Sequence, residues 1–245
     1  YPTAGYFDGF FSSLLNSLVG PEVYNKLMAY DLDAWKTDEV KAAFELVGKI
    51  AEYTHENTVA QANGEGFQKN QLLVMENEAL FVPNGTWLPG EMAGALEDGL
   101  EGNVDPNFAW GLAPIPASDL GDKYSSTFTE EAFIPAGAKN VDNAKLFLSF
   151  MYTDKAAKLF YDNGGAVQPI VGSDSIIPKD DDNQIYYGIY NDGVKSNTVG
   201  FAAAEKVEGV VLGDVLYENV NAVVNGDKTV DAWYAEVLDA IAKFN

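Results

Sequence analysis

Residues 79–92 read ALFVPNGTWLPGEM. An apolar run over residues 79–83 meets Asn84-Gly85-Thr86, a turn signal, and predicts a short buried strand that stops there. The bulkiest apolar side chain, Trp87, comes next, where loops ordinarily carry small polar residues. A strand here, set between amphipathic helices, makes the chain α/β. It also stands Trp87 beyond a strand's carboxyl end, where such sheets bind ligands.

Outward from this point, FAWGLAPIP (108–116) and EAFIPAG (131–137) have the same β-rich character between Gly, Pro and Asn, and residues 1–4 form a further candidate strand. Helices are more distinct. In TDEVKAAFELVGKIAEY (37–53), Thr37 is the expected N-cap, and Asp38 and Glu39 suit the positive end of the helix dipole. Val40, Ala43, Phe44, Val47, Ile50 and Ala51 then share one face. Asn140 and Thr153 are expected to cap two consecutive helices, the second stopped by Gly164-Gly165. Asn225-Gly226 separates two more, from about Glu205 to Val224 and from Val230 to Phe244 behind Thr229. Short apolar strands interleaved with such helices predict an α/β protein with a largely buried sheet.

At 245 residues the chain buries enough surface to fold without a disulfide or metal staple, about 70–75% of what it exposes when unfolded. It has 15 basic and 37 acidic residues, a formal charge of −22. That surface repels phosphate backbones and anionic lipid, which argues against nucleic-acid and membrane-surface partners. Solubility is its ordinary purpose. With no cysteine, a cysteine nucleophile, a thiolate zinc site and a disulfide framework are excluded. No apolar run is long enough to span a membrane. The chain starts Tyr1-Pro2-Thr3-Ala4 without a targeting segment, and further sequence is expected upstream.

Catalytic signals are weak. The one histidine, His55, has neither a nucleophile elbow nor a metal-binding partner and is expected at the surface. A carboxylate pair for glycoside hydrolysis, such as Glu130 with Glu131 or Glu76 with Glu78, needs only two acids across a sugar bond. With 37 acids such pairs also arise by chance. The run Lys179 to Asn183 lacks the alternation of a calcium loop. NGEGFQ (63–68) lacks the pattern of a phosphate cradle. Both are expected to be surface loops, as are the stretches around Gly99 to Asn107 and Gly121. Asn84-Gly85-Thr86 also matches a glycosylation acceptor. The aromatics remain. Tyr6, Phe7, Phe10 and Phe11 crowd a segment broken by Gly5, Asp8 and Gly9, and Trp87 follows its strand. Flat aromatic faces suit the apolar patches of sugar rings, while carboxylates and amides bond their hydroxyls. Filling the core is the other use of these rings, favoured for Phe10 and Phe11 and left open for Trp87.

In order and spacing, AGYFDGFF, MENEALFVPNGTWLPGEM, FAWGLAPIPA, EEAFIPAGAKNVDNAKLFLSFMYTDKAAKLFYDNGGAVQPI and NAVVNGDKTVDAWYAEVLDAIAKF cover most of the chain. This succession resembles the C-terminal two-thirds of the extracellular solute-binding proteins of sugar ABC importers, the maltose-binding-like family. The resemblance implies a type II periplasmic-binding-protein lobe, a short sheet flanked by helices. It divides the chain into residues 1–135 and 183–245, belonging to the C-terminal lobe, and a helical segment, 136–182, that packs in the N-terminal lobe.

The same resemblance implies that two lobes close on an oligosaccharide and dock on a permease, without catalysis, cofactor or metal, as a monomer held at the cell surface by a lipid anchor outside this chain. Tyr6, Phe7 and Trp87 are implied to contact sugar rings, and Asp8, Asn84 and Glu91 to bond hydroxyls. The hinge crossing at TEEAF brings Thr129 and Glu130 to the cleft. Where the family often has an aromatic, GVVLGDVL (209–216) has none, and Asp214 is the polar substitute. The bulk of an N-terminal lobe and the lipobox cysteine have no counterpart here, so a C-terminal fragment with weakened ligand affinity is expected. An enzyme acting on carbohydrate through a carboxylate pair, and a structural surface protein without ligand, are the competing expectations.

Overall fold

A computed structural model describes residues 6–62, 66–115, 122–126, 132–164, 175, 193–197, 199–202 and 207–245. Within them the protein is a helix-rich α/β structure with a small parallel sheet of two strands. The helices are α1 (Tyr6–Met28), α2 (Leu32–Trp35), α3 (Asp38–Ala51), α4 (Phe67–Met75), α5 (Leu88–Glu97), α6 (Val141–Met151) and α7 (Asp154–Gly164). A turn of π-helix (Asp214–Glu218) leads into α8 (Asn219–Val224), and α9 (Val230–Ala242) follows. The strands are β1 (Tyr124–Ser126) and β2 (Lys195–Asn197), in register Tyr124 to Lys195, Ser125 to Ser196 and Ser126 to Asn197.

The main core lies between α1, α3 and α9 and is built on rings. Phe44 meets Trp233 edge-on at 4.5 Å and Phe11 at 5.0 Å, the arrangement that ring quadrupoles favour. The polar handles of these aromatics are satisfied by backbone carbonyls. Trp35 Nε1 donates to Leu27 at 2.9 Å, Trp233 Nε1 to Val215 and Leu216 at 3.2 Å, and the Tyr234 hydroxyl to Trp35 at 2.7 Å. These bonds remove the cost of burying unpaired donors. Helix α3 buries Val40, Ala43, Phe44 and Val47 as the period predicts. Its apolar face stops there, for Ile50 is 48% exposed. A second, smaller core joins Leu72 and Met75 of α4 to Leu88 and Met92 of α5.

Helix α1 runs through Asp8 and Gly9, the residues that punctuate the aromatic segment. Gly9 does not break it; Gly20, at φ 74°, is not helical and kinks it ahead of Pro21, so that two helical stretches meet there. The polar face of α1 holds the sheet. The Ser126 N–H donates to Ser13 Oγ at 2.6 Å and the Tyr124 N–H to Ser17 Oγ at 3.0 Å, while Asn197 Nδ2 donates to Asn16 Oδ1 at 2.7 Å. Two helix hydroxyls thus satisfy the β1 donors that a third strand would otherwise pair.

Within the described residues the expected strands do not form. Residues 79–83 are irregular, with Leu80 and Phe81 80% and 76% exposed. The described parts of 108–116 and 131–137 are also without strand. Residues 1–4 lie outside the described residues, as do Gly64, Gly121, Glu131 and Lys179 to Asn183. The helix expected from Glu205 is shorter: residues 207–211 are turn or irregular, and regular winding begins only beyond them. Thr229 caps α9 as expected, accepting from Ala232 N at 3.1 Å, and Thr153 Oγ1 accepts from Ala156 N at 3.3 Å. Thr37 and Asn140 precede their helices without a side-chain cap bond. Among the described residues no helix is long and apolar enough to cross a membrane.

Candidate functional site

Three helix beginnings meet at one point. Tyr6 is the first residue of α1, Trp87 immediately precedes α5 with Glu91 one turn further on, and Phe67 and Gln71 lie four residues apart on α4. That spacing puts each α4 and α5 pair on one face of its helix. The Tyr6 ring stands 6.1 Å from Trp87 and 6.0 Å from Phe67, tilted to both. Its hydroxyl donates to Glu91, 3.2 Å from Oε2 and 3.3 Å from Oε1. Gln71 Nε2 donates to Glu91 Oε2 at 2.8 Å.

Electrostatics agree with this geometry. The Tyr6 hydroxyl is pushed above the usual phenol range by burial; hydrogen bonds with Trp87 and Gln71 oppose that shift and the negative Glu91 adds to it. Trp87 remains 43% exposed, so part of its ring is accessible while its neighbours are tied down. Beside Glu91 an open groove of about 600 Å³ runs along α5. Glu91, Asp98 and Gln68 line it with polar groups, and Gly94 and Ala95 keep it wide. It offers hydrogen-bond acceptors, and Glu91 joins it to the aromatic cluster.

The other expected residues fall elsewhere. A helix turns about 100° per residue, so Tyr6, Phe7 and Asp8 cannot face one ligand as neighbours at a strand end could. Phe7 turns into the core and stacks on Phe11 at 5.6 Å. Asp8 turns toward Tyr24 and Tyr217, where burial raises its pKa. Burial pushes both tyrosine hydroxyls up, and the charge of Asp8 adds to each shift. Phe11 is buried at the centre of the core, and Phe10 packs against it. Asn84 Oδ1 accepts from the Gly85 N–H at 2.7 Å, closing the turn before Trp87. Asp214 is exposed at the start of the π-helical turn. Glu130 and Thr129 lie outside the described residues.

Phe67 and Gln71 were not foreseen. The glycines ahead of them read as a loop, which hid the four-residue spacing of a helix face. Among the described residues no group of three or more His, Asp and Glu side chains is placed to hold a metal ion. No protein-family model matches the chain, and no curated protein or solved structure matches it.

Proposed function

We propose that the protein is a carbohydrate-binding component of an ABC importer, the C-terminal lobe of a two-lobed, maltose-binding-like receptor that gives its sugar to a permease. The observation that carries this reading is the meeting of Tyr6, Trp87 and Glu91, 81 and 85 residues apart from the first to the others. Two aromatic rings beside a carboxylate, all at helix beginnings and next to an open groove, are the elements needed to stack a sugar and bond its hydroxyls.

A second feature fits a two-lobed receptor. Helix α6 has no buried residue, and Leu146 and Phe147 are 68% and 63% exposed. Phe133, Leu159 and Phe160 are also exposed. In this proposal the apolar face of α6 and α7 packs on a companion lobe, and the receptor acts outside the cell on a lipid anchor. The reading is tested by thermal shift and calorimetry of the protein, and of a longer form carrying the companion lobe, against a library of oligosaccharides. Saturable binding without new reducing ends supports it. Turnover of an oligosaccharide, or no binding by either form, sinks it.

A further inference from the structure

Gln71 has no exposed surface. Its amide nitrogen donates to Glu91 Oε2 at 2.8 Å, and the same carboxylate receives the Tyr6 hydroxyl. Gln71 and Trp87 also lie near enough to the Tyr6 hydroxyl to oppose the rise in its pKa. Among the described residues no ion pair includes Glu91. A neutral amide therefore holds the carboxylate where a lysine would have cancelled its charge.

We propose that Gln71 is the positioning residue of this site: it fixes the Glu91 carboxylate, and through it the Tyr6 hydroxyl and the Trp87 indole, in the arrangement a ligand meets. The consequence for binding rests on the carbohydrate reading above; the consequence for the rings does not. A carboxylate at the surface of the site is held in place by a buried amide behind it. Without the amide, Glu91 loses a buried donor and is free to swing into the groove it lines. Tyr6 then loses its carboxylate acceptor, and with it one of the restraints on the tilt of the two rings.

The test uses the whole chain labelled with fluorotryptophan. Its four tryptophans give four ¹⁹F resonances, that of Trp87 assigned by W87F. Gln71→Leu is expected to move or broaden the Trp87 resonance while those of Trp35 and Trp233, in the core, stay in place. Glu91→Ala, made at a half-buried position, is expected to move the Trp87 resonance as well and decides the matter if Gln71→Leu does not fold. An unmoved Trp87 resonance in the folded variant, or equal shifts at the core tryptophans, overturns the proposal. Both proteins are then titrated with short gluco-, xylo- and manno-oligosaccharides, and at least a fivefold loss of affinity is expected in Gln71→Leu. If none of these binds the wild type, the carbohydrate reading fails while the ring signal still decides the role of Gln71.

Discussion

The Trp87 indole fills the space that a side chain at residue 85 would occupy: a Cβ on Gly85 would collide with its Cε3, Cζ3 and Cη2 atoms. The turn Asn84-Gly85 is therefore more than a break in the chain. It is the floor on which the ring rests, with Asn84 closing the turn from one side and Tyr6 flanking the ring at 6.1 Å.

Gly85→Ala should displace that ring without unfolding the protein. The colliding atoms are the far end of a half-exposed side chain, which can swing outward instead of straining the backbone. The expected result is a red shift in Trp87 emission with a melting temperature close to that of the wild type. A large fall in melting temperature with unchanged emission would show that the ring cannot move and that the turn yields instead.

Trp87→Ala removes the ring altogether. If the ring is a sugar platform, affinity for a bound oligosaccharide should fall by about 1–3 kcal/mol, roughly 5- to 150-fold. Calorimetry on the two proteins measures this directly. Unchanged affinity would remove Trp87 from the binding surface and leave Tyr6 as the remaining candidate.

The helices were legible in the sequence wherever one face was apolar at the helical period. Residues 38–51, 141–151, 154–164 and 230–242 are helical as the pattern predicts. The strands were not, for a physical reason. Apolar runs at 79–83 and 108–116 signal burial, yet strand formation needs a pairing partner, and Leu80 and Phe81 point into solvent. The two strands among the described residues read YSS and KSN and are three residues long, with no hydrophobic alternation to find. Helix α1 carries no clear apolar period, and Asp8 and Gly9 punctuate its start. The site was legible in part through Tyr6, Trp87 and Glu91. Its buried glutamine was not, since a lone Gln in a polar stretch carries no pattern of its own.

The seating of β1 on α1 leads to a prediction about stability. Ser13 is buried, donates to the Gly9 carbonyl at 2.9 Å and accepts from Ser126 N–H at 2.6 Å. Ser13→Ala leaves that strand N–H without its acceptor, at a cost of about 1–3 kcal/mol. Ser17→Ala should do the same to the Tyr124 N–H. Urea denaturation read by circular dichroism gives both values. A loss within about 0.5 kcal/mol, the range of an ordinary surface change, would mean that water replaces the hydroxyl at β1.

Asp8 makes stability depend on pH with a definite sign. Burial holds its carboxyl pKa above the ordinary value, and only the Gly9 N–H bond opposes the shift. In the pH interval between the unfolded and the raised folded pKa, the folded protein binds more protons at this group. The Asp8 contribution to stability must therefore decline as pH rises through that interval and stay unfavourable above it. Asp8→Asn removes the charge while keeping an oxygen that can accept from Gly9. It should raise the melting temperature at neutral pH. At pH values below the ordinary carboxylate range, where both forms are neutral, the two proteins should melt together. Melting curves from acid to neutral pH measure the difference. A variant that is less stable at neutral pH would show that the Asp8 charge is favourable where it sits, held by the start of α1 more strongly than burial opposes it.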